Sequence, residues 1–281
     1  MKWTPGNRGN IEDLRGSSGA RMGGLGLGGL VVVLLLSWAT GVDFLSLLGG
    51  GGDPGGAPSG SVGTSGPVNE SPEEMKLRDR VDNVAEDAQK TWQQLLGSRY
   101  QRTSVALFRE GVNSGCGYAP SAVGPFYCPA DRKVYLDLSF YDELHRRFGA
   151  PGDFAQAYVL AHEIGHHVQT VTGIESQVRQ RQGSSPSAKN ELSVRMELQA
   201  DCFAGVWGYH ANRTPGGIDL EDGDVEEALG AAAAIGDDRI QRQTTGGVKP
   251  ESFTHGSAEQ RVSWFRRGFQ SGDPGVCETF K

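Results

Sequence analysis

The sequence predicts an α+β fold, mainly helical with a small β-sheet, preceded by one transmembrane helix. Three observations carry this: an uncharged apolar run near the N-terminus, two β-rich segments between residues 104 and 138, and helix-periodic segments through the second half. At 281 residues the chain has room for one large domain or two small ones. A formal charge of −7 argues against a generalised phosphate-binding surface, so nucleic acid is not an expected partner. Glycine, at 42 residues, is concentrated between Gly16 and Gly66, and that region is read separately.

Residues 1–21 carry Lys2, Arg8, Arg15 and Arg21 and form a basic arm. Met22 to Ala39 is 18 residues without a charge, close to the shortest helix that spans a bilayer core. Extending it to Leu48 admits only Asp43. The basic flank is the N-terminal one, so the positive-inside rule puts residues 1–21 in the cytoplasm and makes 22–48 a single-pass anchor. Residues 49–281 are then placed outside, in the periplasm or at the cell surface. A cleaved secretory signal is the competing reading, because Ala39-Thr40-Gly41 offers small residues, although the basic arm is long for one. Gly24 and Gly28 have GxxxG spacing, which a glycine-rich stretch produces by chance; no dimer is assigned, and the oligomeric state is not read from sequence. Residues 49–72, rich in Gly, Pro and Ser, have little to bury and read as a flexible linker.

Residues 73–281 form the folded domain. Met75–Leu96 has apolar residues at helical spacing and stops at Gly97. Ser104–Phe108 and Lys133–Leu138 are β-rich, and Phe140–Phe148 reads as a short helix. Asp153–Thr172, Ala188–Ala211, Asp224–Ile235 and Ala258–Phe269 complete a helical second half. All four cysteines lie in this domain, with no CxxC. Outside the cytoplasm an even count suggests two disulfides: the local pair Cys116–Cys128 first, and Cys202–Cys277 by elimination. Buried free thiols in a reducing compartment are the alternative.

The chemistry sits in Tyr158-Val-Leu-Ala-His162-Glu163-Ile-Gly-His166-His167. On a helix, His162 and His166 project from one face a turn apart and offer two imidazole nitrogens to one metal. Glu163 beside them matches the general base of His-Glu-x-x-His, which takes a proton from water activated by the metal. The apolar residues before the motif bury it, and buried histidines with a glutamate are costly unless coordinated or paired. A catalytic zinc needs three protein ligands. In Glu197-Leu-Gln-Ala-Asp201 two carboxylates lie four apart on a predicted helix: Glu197 is read as the third ligand, and Asp201 as the support behind a ligand histidine. A solvated acidic face is the alternative, opposed by Leu198, Ala200, Phe203, Ala204 and Trp207 around the pair.

His167 points about 100° away from His166 and is read as structural. His145 and His210 are read as surface residues. His255, on the loop before the final helix, is a candidate donor to the oxyanion of amide hydrolysis, with packing or capping as the equal alternative. Val134–Leu138 is a candidate edge strand for an extended peptide, with an ordinary buried strand as its rival.

The stretches GPFYCPADRKVYLDLSFYDEL, GDFAQAYVLAHEIGHHVQ, SVRMELQADCFAGVWG, ALGAAAAIGDDRIQ and SFTHGSAEQRVSWFRRGF, with NIEDLRG near the N-terminus, resemble the neutral zinc metallopeptidases, bacterial membrane-anchored proteins of zincin type. The His-Glu-x-x-His and Glu-x-x-Ala-Asp pair is also similar to gluzincins such as thermolysin and to HtpX-type membrane proteases. The resemblance implies a mainly helical, zincin-like peptidase domain facing away from the cytoplasm. It implies one Zn2+ held by His162, His166 and Glu197, with Glu163 as general base, acting on peptide or protein substrates. An endopeptidase fits better than an exopeptidase. A zinc-binding extracytoplasmic scaffold without peptidase activity is the alternative function; a closed structural site would favour four protein ligands rather than three and a base.

Overall fold

The computed structural model describes residues 1–3, 9–16, 68–150, 152–181, 185–211, 213 and 217–281. Six strands and eight helices are found among them: β1 (Ile11–Asp13), α1 (Pro72–Leu96), β2 (Ser104–Phe108), β3 (Gly111–Ser114), β4 (Gly117–Pro120), β5 (Phe126–Cys128), β6 (Lys133–Asp137), α2 (Phe140–Arg146), α3 (Asp153–Val171), α4 (Ile174–Arg181), α5 (Pro186–Ala211), α6 (Asp224–Ala234), α7 (Asp237–Thr245) and α8 (Ala258–Ser271). The α+β class with a helical majority and a small sheet is the observed one.

α1 starts three residues before the predicted Met75 because Ser71 and Glu74 form a reciprocal capping box and Pro72 sits in the first turn, where its missing N–H costs nothing. It ends at Gly97, whose φ of 58° lies in the left-handed region. The main sheet has the order β1-β2-β6-β5. β1, β2 and β6 run parallel, with Ile11 opposite Val105 and Val105 opposite Val134, and β5 returns antiparallel with Tyr127 opposite Val134. The alternation of strand side chains divides the sheet into two faces. Val105, Leu107, Val134 and Leu136 join the helical core, while Ala106, Phe108 and Tyr135 pack on the other side with Val112 and Cys128. The β3–β4 hairpin lies on that second side, fastened to β5 by the Cys116–Cys128 disulfide.

The helical core is organised around α3, whose Phe154 and Tyr158 are buried with Trp207 of α5, Phe265 of α8 and Trp92 of α1. α5 and α8 approach unusually closely because each presents a glycine to the other. A Cβ on Gly205 would fall 2.0 Å from the Phe265 carbonyl oxygen, and one on Gly268 2.0 Å from the Cys202 carbonyl oxygen. The Cys202–Cys277 disulfide then ties α5 to the C-terminal tail.

Two expectations need correction. Val134–Leu138 is not an edge strand: β6 lies between β2 and β5, so both its backbone edges are already paired, and the edges are β1 and β5. Nor do the described parts of residues 1–21 form a separate arm. β1 is a strand of the domain's own sheet, and Asn10 bonds to Asp82 and Gln89 of α1. Arg15, counted by sequence as part of the basic flank, is buried in ion pairs with Asp13 (2.6 Å) and Glu70 (2.7 Å). The Arg15–Glu70 pair joins the described residues on either side of the 17–67 stretch. The proposed anchor over 22–48 lies outside the described residues, as does most of the 49–72 linker. Among the described residues no helix is long and apolar enough to cross a membrane.

Candidate metal centre

The His-Glu-x-x-His residues occupy the middle of α3, which is buried along nearly its whole length. Gly165, inside the motif, faces α5: a Cβ there would meet the Ala200 carbonyl oxygen at 3.0 Å. Glycine at this position lets α5 lie close enough for Glu197 to reach both histidines. The Nε2 atom of His162 is 3.1 Å from Glu197 Oε2, and that of His166 is 3.4 Å from Oε1. One potential ligand atom from each of the three residues lies within 4.8 Å of the others.

The remaining ring nitrogens are engaged from behind. His162 Nδ1 lies 2.8 Å from Asp201 Oδ1. Asp201 is fully buried and also accepts from Tyr158 Oη (2.6 Å) and from Nε and Nη2 of Arg261 (2.9 Å each). His166 Nδ1 faces Gln169 Oε1 at 2.8 Å. With Nδ1 of each ring held by an oxygen acceptor, both Nε2 atoms turn toward Glu197.

The electrostatics follow from burial and these partners. Burial alone would lower the His162 imidazole, but Asp201 and Glu197 carry it up to about 10. Burial also opposes charge on His166, and Glu197 nonetheless raises it. Burial would raise Glu197, yet the His166 charge and the bonds from both histidines hold it well below the usual carboxylate range. Two nitrogen donors and one anionic oxygen, gathered in a buried cluster, fit zinc, and three protein ligands is the number found in catalytic sites.

Glu163 is buried beside this cluster and outside it. Burial raises its carboxyl, opposed by the charges of His162 and His166 and by the backbone N–H of Tyr127 on β5. His255 sits on the loop before α8. Its Nδ1 is 3.2 Å from Asp237 Oδ1, while Asp237 Oδ2 accepts the backbone N–H groups of Thr254 (2.7 Å), His255 (2.6 Å) and Gly256 (3.0 Å). The loop is thus wound around the first residue of α7, and His255 is near enough to Glu197 for each to stabilise the other's charge.

His167 points away from the centre and bonds Tyr127 Oη and the Gln101 carbonyl. His145 is exposed, whereas His210 is half-buried against the Gly272 carbonyl. A second carboxylate group, Asp153, Asp224 and Glu227, has ligand-like spacing, but the Met1 ammonium pairs with Asp153 and Asp224. Sequence reasoning missed Tyr158, Gln169, Gln199, Asp237 and Arg261. The available signal for Arg261 was an arginine on the inward face of an amphipathic final helix. α7 itself went unread, and Asp237 with it.

A family model described as "Putative neutral zinc metallopeptidase" matches residues 1–280. The chain belongs to this family. It is 48% identical over 284 residues to the uncharacterized protein YpfJ of Escherichia coli K12, covering 96% of this chain and 95% of that one. It is also 48% identical over 209 residues to the uncharacterized proteins Mb2605 of Mycobacterium bovis and Rv2575 of Mycobacterium tuberculosis, covering 72% of this chain and 70% of each. No solved structure matches the chain. Family membership implies zinc and peptide or protein substrates.

Proposed function

We propose that the protein is a membrane-associated zinc endopeptidase, with one zinc held by His162, His166 and Glu197 and with Glu163 as general base. The observation that carries this is the division of labour among the acidic groups: Glu197 faces both histidines, Asp201 stands behind one of them, and Glu163 lies beside the cluster without joining it. Bound zinc supplies Lewis acidity, which polarises a scissile carbonyl and makes water easier to deprotonate.

Glu163 takes the proton of the attacking water and delivers it to the departing amine. Its burial keeps its affinity for that proton above that of an ordinary glutamate, which suits both halves of the task. Burial disfavours charge on His255, but Asp237 more than compensates and raises its pKa. With Nδ1 turned to Asp237, the other ring nitrogen is a donor for the oxyanion formed at the carbonyl. β5 is the edge of the sheet nearest the centre and places Tyr127 next to Glu163, so an extended substrate adds to β5 and brings an internal peptide bond to the base. That mode of binding favours cleavage within a chain.

Two disulfides favour an oxidising compartment, and the apolar stretch 22–48 is the element that associates with the membrane. The test of the enzymatic reading is Glu163→Gln in the full-length protein. It should retain zinc and lose cleavage of a peptide library by a factor of about 10²–10⁴, the usual contribution of a general base. Cleavage at the wild-type rate would remove Glu163 from the mechanism. Absence of cleavage by both proteins would favour a zinc-binding scaffold.

A further inference from the structure

Behind His166 the structure holds a chain of amide hydrogen bonds that reaches the C-terminal tail. The Nε2 group of Gln199 donates to the Cys277 carbonyl oxygen at 2.8 Å. Gln169 Nε2 donates to the Met196 carbonyl oxygen at 2.8 Å and to Gln199 Oε1 at 3.1 Å. Gln169 Oε1 then faces His166 Nδ1 at 2.8 Å. Gln169 is fully buried and Gln199 nearly so.

The direction of this chain is not arbitrary. A backbone carbonyl can only accept, so Cys277 dictates which end of the Gln199 amide faces it, and Met196 does the same for Gln169. Both amides are therefore oriented with their oxygens toward His166. The last oxygen can bond His166 only if Nδ1 carries a proton, so in the neutral ring that a metal requires the lone pair is on Nε2, on the Glu197 side.

We propose that Gln169 and Gln199 are positioning residues that fix the tautomer and ring orientation of His166, with the Cys277 carbonyl as their anchor. The relay explains why the tail belongs to the site: the Cys202–Cys277 disulfide and the bond from Arg195 to the Thr279 carbonyl hold the anchoring segment in place. This inference rests on His166 being a metal ligand, as proposed above, and extends that reading to a part of the chain remote in sequence.

The test measures zinc affinity of the full-length protein by competition with a chelator, thermal stability, and solvent exchange of the His166 Nδ1–H by NMR of the zinc-loaded form. Gln169→Leu removes the acceptor and should weaken zinc binding about 10–100-fold, the usual cost of losing a partner behind a metal ligand, and speed exchange of that proton. Gln169→Glu keeps an oxygen toward His166 but turns another against Met196 and Gln199. It should lose stability while holding zinc within about 10-fold of wild type. Gln199→Leu, which touches no ligand, should weaken zinc binding less than Gln169→Leu does and carries the test if the latter fails to fold. The relay is overturned if the folded leucine variant binds zinc as tightly as wild type with unchanged exchange, or if affinity in all variants merely follows stability. Failure of the wild-type protein to bind zinc would instead overturn the metal-centre reading.

Discussion

The two histidines of the motif lie one helical turn apart and share Glu197, but their supports differ in kind. His162 is backed by a buried carboxylate that is itself gripped by Arg261 and Tyr158, whereas His166 is backed by neutral amides. The charged support joins α3, α5 and α8 through one network and has a high cost of failure, since loss of either ion strands the other away from water. The neutral support runs along α5 to the tail and can be broken without leaving a bare charge. One half of the site is therefore bound up with global stability, and the other with the docking of the chain's end.

Arg261→Met should break this contrast most severely. It leaves the Asp201 carboxylate buried without its strongest partner and should cost about 3–5 kcal/mol, read as a lowered denaturation midpoint. Adding Asp201→Asn removes the stranded charge and makes the backing of His162 neutral, like that of His166. The double variant should recover part of the loss, and strict additivity would show that the two residues are not coupled.

The disulfides give a second way to separate the halves. The loops closed by Cys202–Cys277 and Cys116–Cys128 have separations of 75 and 12 residues. Chain entropy alone assigns them about 4 and about 3 kcal/mol. Replacing both members of either pair by Ala should lower thermal stability, slightly more for the long loop. Only loss of Cys202–Cys277 should also weaken zinc binding, because its tail carries the carbonyl that anchors Gln199. Equal zinc affinity in the two double variants would contradict the assigned link.

The smallest effect is in acid. Burial would raise the Asp201 carboxyl, but Arg261 and His162 hold it below the ordinary range. Its contribution is complete above the unfolded aspartate value of about 3.9 and is lost as pH falls through the lower folded value. The glutamine pair has no titrating group. Asp201→Asn should therefore flatten the fall in stability below about pH 4, followed by denaturant titration, while Gln199→Leu leaves that slope unchanged.

How much of this could be read from sequence depended on where each residue's partner lies. His162, Glu163 and His166 are contiguous turns of one helix, and Glu197 and Asp201 repeat the four-residue spacing, so local periodicity was enough to single them out. β1 was missed because its three residues acquire their meaning from β2, some ninety positions later in the chain. The same three-residue brevity hid β5, and without it β6 was read as a possible edge. Arg261 and the two glutamines are ordinary helix-surface types; only the packing of α8 and the tail turns them inward. Arg15 shows the same limit. Its carboxylate partner Glu70 lies beyond the whole apolar and glycine-rich stretch, so the pair is not legible in the local sequence.

The central claim is that two histidines of one helix and a glutamate of another form a single zinc site, and it is tested most directly by counting the metal. Elemental analysis of purified full-length protein should find one zinc per chain in the wild type, retained in Glu163→Gln and largely lost in Glu197→Ala. Full occupancy in Glu197→Ala would contradict the account.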